Sequence, residues 1–172
     1  MAENKNIVLT GMPGSGKTTV GQKLADKLTG YDFIDTDKKI EQENGLSVTE
    51  IFNSYGEKYF RRLENEKIKQ IAQTRNQIIS LGGGAFENKE SRKVLLKNAV
   101  VIYLKTTPYA IIRRIQAQTH RPLLEGAVLN KRITEILKER EKNYAKAHYT
   151  VDTDDKTAYD VVEEILKIYR VK

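Results

Sequence analysis

Apolar stretches of strand length alternate along this chain with longer stretches whose apolar residues recur at helical spacing, and that alternation predicts a parallel sheet covered by helices on both faces. Ile7 to Thr10 is expected as the first strand. After the turn at Gly11 to Gly16, a helix from Thr18 carries Val20, Leu24 and Leu28 at intervals of four, and Gly30 should close it. Tyr31 to Ile34 reads as a second strand. Short helices follow, with Ser47 and Glu50 at the spacing of a capping box, and then a longer helix around Phe60, Leu63, Ile68 and Ile71. Gln77 to Leu81 and Ala99 to Leu104 supply the third and fourth strands, and Pro108 suits the first turn of the next helix. Tyr149 to Val151 is a short fifth strand before a closing helix with Val161, Val162, Ile165 and Leu166. One segment departs from the pattern: across residues 116–130 the periodicity lapses around Arg121, Pro122 and Gly126, predicting a polar loop long enough to be a mobile lid.

Length and composition narrow the picture. A chain of 172 residues can bury one substantial core and not two, so a single domain over residues 1–172 is expected. No apolar run approaches a membrane span and the first residues are polar, which signals neither insertion nor export. Without cysteine there is no disulfide framework or thiol nucleophile, in keeping with a cytoplasmic protein. The net charge of +7 could attract anionic small molecules or nucleic acid. The basic residues alternate with acidic ones, as in Lys138, Glu139, Arg140, Glu141 and Lys142, and no aromatic-rich RNA-binding signature accompanies them; no nucleic-acid partner is expected.

The segment Gly11-Met12-Pro13-Gly14-Ser15-Gly16-Lys17-Thr18 is a complete G-x-x-x-x-G-K-[ST] motif placed after a strand and before a helix. Its glycines allow backbone angles that turn successive N–H groups inward on phosphate oxygens, Lys17 brings a mobile positive charge to the transferring phosphoryl group, and the Thr18 hydroxyl can coordinate Mg²⁺. Gly14, Ser15, Gly16, Lys17, Thr18 and Thr19 are therefore the expected nucleotide-binding residues. A switch GTPase would need Asp-x-x-Gly and Asn-Lys-x-Asp; no Asp has Gly three residues on, and Asn88-Lys89-Glu90-Ser91 ends in serine. A motor ATPase would bring a much longer chain, and a regulatory ATP-binding module would have no reason for an acceptor site.

Candidates for such a site exist. Asp35 and Asp37 follow the second strand, whose carboxyl end should face the ligand crevice; either could hold a Mg²⁺-bound water or accept a proton, and Asp37 could equally cap a helix beginning at Lys38. Arg61 and Glu64 lie three apart on one helical face, where Glu64 could steady the arginine fork for a ligand carboxylate or the two could form an ordinary exposed ion pair. Arg140 carries the same two readings. Gly82-Gly83-Gly84 could bring backbone N–H groups against a ligand or merely turn the chain. His120 and His148 stand apart from other ligand types, so no protein-built transition-metal site is expected.

Taken in order, Asp35-Thr36-Asp37, Phe60-Arg61 with Glu64, Gly82-Gly83-Gly84, Arg121-Pro122-Leu123-Leu124, and Arg140 with Tyr144 resemble, together with the P-loop, the shikimate kinase family over nearly the whole chain. The resemblance implies a P-loop NTPase fold, an open five-stranded parallel sheet of order 2-3-1-4-5 with a mobile lid. It implies a monomeric kinase that uses ATP and Mg²⁺ on shikimate, with an acceptor-binding region at about residues 37–64. Arg61, Arg140 and the Gly83 backbone would hold the shikimate carboxylate, Glu64 would orient Arg61, and Asp37 would bind the ring hydroxyls and accept the proton. Asp35 would support Mg²⁺ through water, Arg121 would reach the phosphates from the lid, and Arg114 would lie against the adenine. The loop Asp152-Thr153-Asp154-Asp155-Lys156 lacks the proline that family members often place at the adenine floor. A related gluconate or nucleoside monophosphate kinase is the alternative acceptor reading, and a non-catalytic ATP-binding protein the more distant one.

Overall fold

The computed structural model describes residues 5–119 and 123–170. Strands β1 (Asn6–Thr10), β2 (Asp32–Asp35), β3 (Gln77–Ser80), β4 (Ala99–Lys105) and β5 (Tyr149–Asp152) form one parallel sheet in the order β2-β3-β1-β4-β5. Parallel neighbours cannot be joined by tight turns. The crossovers are made by α1 (Lys17–Lys27), α2 (Thr36–Asn44), α3 (Val48–Ile71), α4 (Lys89–Asn98), α5 (Pro108–Thr119) and α6 (Leu123–Tyr144), and α7 (Ala158–Arg170) follows the last strand. The helical layers on both faces are those the sequence pattern predicts, and the strand order is the one the family resemblance implies.

Register divides the apolar residues between two layers. Ile7 pairs with Ile78 and Val100, and Val8 with Ile79 and Val101. On one face Ile7, Leu9, Ile78, Val100 and Ile102 meet Val20 and Leu24 of α1 and Val161, Val162, Ile165 and Leu166 of α7. On the other, Val8, Ile79, Val101 and Tyr103 meet Ile68 and Ile71 of α3, Leu95 of α4, Ile111 and Ile112 of α5, and Ile133 and Tyr144 of α6. This is why β1 is buried at every position and reads as a continuous apolar run rather than an alternating one. A third cluster, Ile40, Ile51 and Phe60, joins α2 to α3. The chain leaves β1 toward β2 on one side and, after β3, crosses to β4 on the other, so a crevice opens at the carboxyl end of β1.

Boundaries differ from the expectations where pairing or capping decides them. The pairing of Asp35 with Ser80 carries β2 one residue past Ile34, and Leu28 rather than Gly30 is the C-cap of α1. The Ser47–Glu50 capping box forms and starts α3, which runs to Ile71 with one break at Gly56 (φ 82°, ψ 167°). The expected loop over residues 116–130 is a correction: α5 continues to Thr119 and α6 begins at Leu123, so most of that stretch is helical. One Gly126 within a run of good helix formers costs only about 1 kcal/mol. His120, Arg121 and Pro122 lie outside the described residues. Among the described residues no helix is long and apolar enough to cross a membrane.

Candidate active site

The turn between β1 and α1 takes the form its motif demands. Gly14 (φ 82°) and Gly16 (φ 94°, the residue preceding α1) hold left-handed backbone angles that a side chain would strain. Lys17 is buried, and its ammonium donates to the carbonyls of Gly11 (2.9 Å) and Met12 (2.8 Å). Burial pushes its pKa down to about 8, against the opposing pull of Asp37 and then Asp35. Gly14, Ser15, Gly16, Lys17, Thr18 and Thr19 all line a cleft of about 470 Å³.

Asp35 closes that cleft from β2. Its Oδ2 accepts a hydrogen bond from the Thr18 hydroxyl at 2.9 Å, while Oδ1 accepts from the backbone N–H groups of Asp37 (3.1 Å) and Lys38 (3.2 Å). Asp35, not Asp37, is therefore the N-cap of α2, which begins at Thr36 rather than Lys38. That corrects the capping alternative for Asp37 and explains its availability: Asp37 Oδ1 is buried without a hydrogen-bond partner among the described residues. Burial, then the charge of Asp35, holds the Asp37 carboxyl above the usual range, with Lys17 and Arg61 pulling it back.

The glycine triplet after β3 is a set of three close approaches. A β-carbon on Gly82 would lie 2.5 Å from Asp37 Oδ1 and 2.9 Å from Glu64 Oε1; one on Gly83 would lie 2.8 Å from the Pro13 ring; one on Gly84 would lie 2.7 Å from both Arg61 Nη atoms. The triplet thus seats the P-loop, both carboxylates and the arginine against bare backbone. Thr36 holds it there, its hydroxyl accepting from the Gly82 N–H (3.0 Å) and donating to the Ser80 carbonyl (3.3 Å).

Arg61 and Glu64 are not an exposed helical pair. Glu64 is 2% exposed, Arg61 Nη1 donates to its Oε2 at 2.9 Å, and Glu64 Oε1 is buried without a partner among the described residues. Burial raises the Glu64 carboxyl above its ordinary value, and Arg61 opposes the shift. Glu57 accepts from the far edge of the same guanidinium, Nη2 at 3.2 Å and Nε at 3.3 Å. Arg140 reaches the triplet from α6, donating through Nη1 to the Gly83 carbonyl at 3.0 Å. Arg114, on α5, donates to the carbonyls of Ser15 (3.3 Å) and Thr153 (2.7 Å) and so ties the P-loop to the loop after β5. Arg121 is outside the described residues.

Glu57, Thr36 and Thr153 escaped the sequence reading as site residues. Glu57 stands four residues before Arg61, a spacing that carried the signal; Thr36 was visible only as the middle of a motif, and Thr153 only as part of a loop. The oxygen set of Thr18 and Asp35 fits a hard divalent cation that takes few protein ligands and keeps water and phosphate oxygens. Among the described residues no group of three or more His, Cys, Asp or Glu side chains could hold a metal by itself. The cleft can therefore hold a polyphosphate with its cation at one end. At the other end, two partnerless carboxylate oxygens and two arginines suit a ligand with hydroxyl donors and an anionic group.

A family model described as "Shikimate kinase" matches residues 13–170. The chain is 47% identical over 165 residues to a shikimate kinase of Caldanaerobacter subterraneus subsp. tengcongensis, covering 96% of both. A solved shikimate kinase from Acinetobacter baumannii in complex with shikimate superposes with a TM-score of 0.87 at 33% identity, covering 97% of this chain and 93% of that one. A gluconokinase from Sinorhizobium meliloti 1021, at 17% identity and a TM-score of 0.63, is similar in fold alone.

Proposed function

The chain belongs to the shikimate kinase family, and on that premise we propose that it transfers the γ-phosphoryl group of ATP to the 3-hydroxyl of shikimate, yielding ADP and shikimate 3-phosphate. The observation that carries this reading is the meeting, across Gly82-Gly83-Gly84, of a phosphate cradle with Asp37, the Arg61–Glu64 pair and Arg140. The shikimate carboxylate is taken by Arg61, Arg140 and the Gly83 N–H, and its ring hydroxyls by Asp37. Asp37 accepts the 3-hydroxyl proton as that oxygen bonds to the γ-phosphorus and the bond from phosphorus to the ADP oxygen breaks. Lys17 leaves the Gly11 and Met12 carbonyls for the phosphate oxygens. Thr18 directly, and Asp35 through water, would hold Mg²⁺, which supplies charge neutralisation when bound. Arg121 meets the phosphates from the segment between α5 and α6, and Arg114 lies against the adenine.

The enzyme is taken to act as one kinase domain and as a cytoplasmic monomer, without nucleic-acid or membrane partners; one chain supplies the P-loop and each acceptor residue named. The deciding test is ADP release with ATP and Mg²⁺, comparing shikimate with gluconate, nucleoside monophosphates and no acceptor. Stimulation by shikimate alone is expected. Stimulation by another acceptor would leave the phosphotransferase and discard the roles given to Arg61, Arg140 and Asp37.

Two further outcomes follow from the phosphate end. Because burial brings Lys17 to about 8, kcat/KM for ATP is expected to decline as pH rises through that value, since the neutral amine no longer attracts the triphosphate. Bound phosphates favour the ammonium, so kcat should hold to higher pH; a kcat/KM profile flat through the ordinary lysine range would refute the role of Lys17. Asp35→Asn keeps a good N-cap for α2 while removing the charge beside Thr18. It should weaken the apparent Mg²⁺ affinity by about 10–100-fold with the fold intact, read from rates against free Mg²⁺ at fixed ATP.

A further inference from the structure

Tyr144 is the last residue of α6, fully buried, with its ring stacked on Tyr103 at 5.1 Å between centroids. Its hydroxyl donates to the Gly83 carbonyl at 2.6 Å, the same oxygen that accepts from Arg140 Nη1 at 3.0 Å. One carbonyl of the acceptor site thus carries two donors from one helix, four residues and about one turn apart. We infer that Tyr144 is a positioning residue for acceptor capture: by saturating the Gly83 carbonyl it sets the plane of that peptide and leaves the remaining Arg140 donors for the ligand anion. The inference rests on the shikimate reading above and adds to it a residue that touches no substrate.

Steric and electrostatic reasons make this arrangement consequential. Gly83 is wedged against the Pro13 ring of the P-loop, where even a β-carbon would collide, so its peptide has little room to drift while its carbonyl is held. The neighbouring Gly82 N–H is held separately by Thr36. A carbonyl oxygen has two acceptor sites, and leaving one of them buried and unmet carries a penalty that a small peptide rotation would relieve. Such a rotation, about the bond from the Gly83 Cα to its carbonyl carbon, carries the Arg140 guanidinium bonded to that oxygen away from where a carboxylate must find it. Among groups facing the hydroxyl, Arg140 and Glu87 are the charged ones that act on Tyr144; burial raises its phenol above the ordinary value, so the hydroxyl stays a donor at neutral pH.

Tyr144→Phe removes one oxygen and preserves the stacked ring. Steady-state kinetics should show KM for shikimate raised about 5–10-fold, equivalent to about 1–1.4 kcal/mol, with kcat and KM for ATP within about twofold of the parent. A lowered Tm with KM unchanged would reduce Tyr144 to a packing residue and overturn the inference. Absence of shikimate-dependent turnover in the parent protein would instead defeat the functional reading itself, so the two failures are distinguishable. Should the variant fold poorly, the parent chain answers through its Tyr144 hydroxyl proton, followed by the hydrogen–deuterium splitting of the ring ¹³Cζ signal. Its exchange is expected to be slow and to slow further as shikimate is added; exchange indifferent to shikimate would overturn the inference.

Discussion

Asp37→Asn is expected to lower kcat about a thousandfold, within the range that a positioned general base contributes, with KM for ATP changed only a few-fold. The substitution is nearly isosteric, and since Asp35 rather than Asp37 caps α2, it removes no helix cap. What it removes is the one carboxylate oxygen in the first turn of α2 that is buried, partnerless and pressed against Gly82. The pH dependence gives an independent signature. In the parent protein burial and Asp35 raise the Asp37 carboxyl, so the acidic limb of kcat/KM for shikimate should lie above the ordinary aspartate range, activity falling as pH drops through it. In the variant that limb should vanish. The basic limb should move the other way: Asp37 supports the charge of Lys17, so its loss lets burial depress the lysine further. A variant that retains turnover within tenfold of the parent would exclude Asp37 as the proton acceptor.

The coupling of these two groups explains why some of the site was legible in the sequence and some was not. The P-loop could be read because its chemistry is local: backbone angles, one ammonium and one hydroxyl lie within eight consecutive residues. The placing of Asp35 near the phosphate end was open to inference because the crevice of an open parallel sheet falls at the carboxyl ends of its strands, whereas the strand order came only with the family resemblance. Arg61 and Glu64 could not be separated from a surface ion pair on spacing alone. The deciding fact, the near-complete burial of Glu64 beneath Gly82, belongs to residues eighteen apart in the chain. Whether Gly82-Gly83-Gly84 meets a ligand or merely turns the chain stays open in the sequence for the same reason. Each glycine is needed for what approaches it, namely two carboxylates, a proline ring and a guanidinium, and none of these is a sequence neighbour. The stretch around Pro122 and Gly126 failed differently. Breaker residues locally suggest an end to structure, whereas tertiary packing of Leu129 and Ile133 against the core supports a helix that local propensity only weakly opposes.

Arg61→Lys tests the acceptor end, and the expected result is a KM for shikimate raised about 10–100-fold with kcat reduced far less. The guanidinium divides its donors by direction: Nε and Nη2 toward Glu57, Nη1 toward Glu64, with Phe52 and Phe60 5.9 and 5.4 Å beneath and Gly84 closing the other side. The remaining N–H bonds are presented to a carboxylate by a rigid plane. A lysine keeps the charge but is a point donor on a flexible stem, and cannot satisfy Glu57, Glu64 and a ligand in one geometry. Losing one or two charge-assisted hydrogen bonds, at about 1.5–3 kcal/mol each, accounts for the expected change in KM. Arg61→Ala separates binding from stability. With the arginine gone, burial and the charge of Asp37, opposed by the more weakly acting Arg140, raise the folded pKa of Glu64 further above the unfolded value. A raised carboxyl contributes stability below its unfolded pKa and loses it as pH rises through the folded pKa, so this variant should be destabilised at neutral pH and should recover toward the parent Tm on mild acidification. Arg61→Lys should show little of that pH-dependent loss, because its ammonium still faces Glu64. An unaltered KM for shikimate in Arg61→Lys would place the ligand carboxylate elsewhere in the cleft and leave Arg61 as a clamp between Glu57 and Glu64.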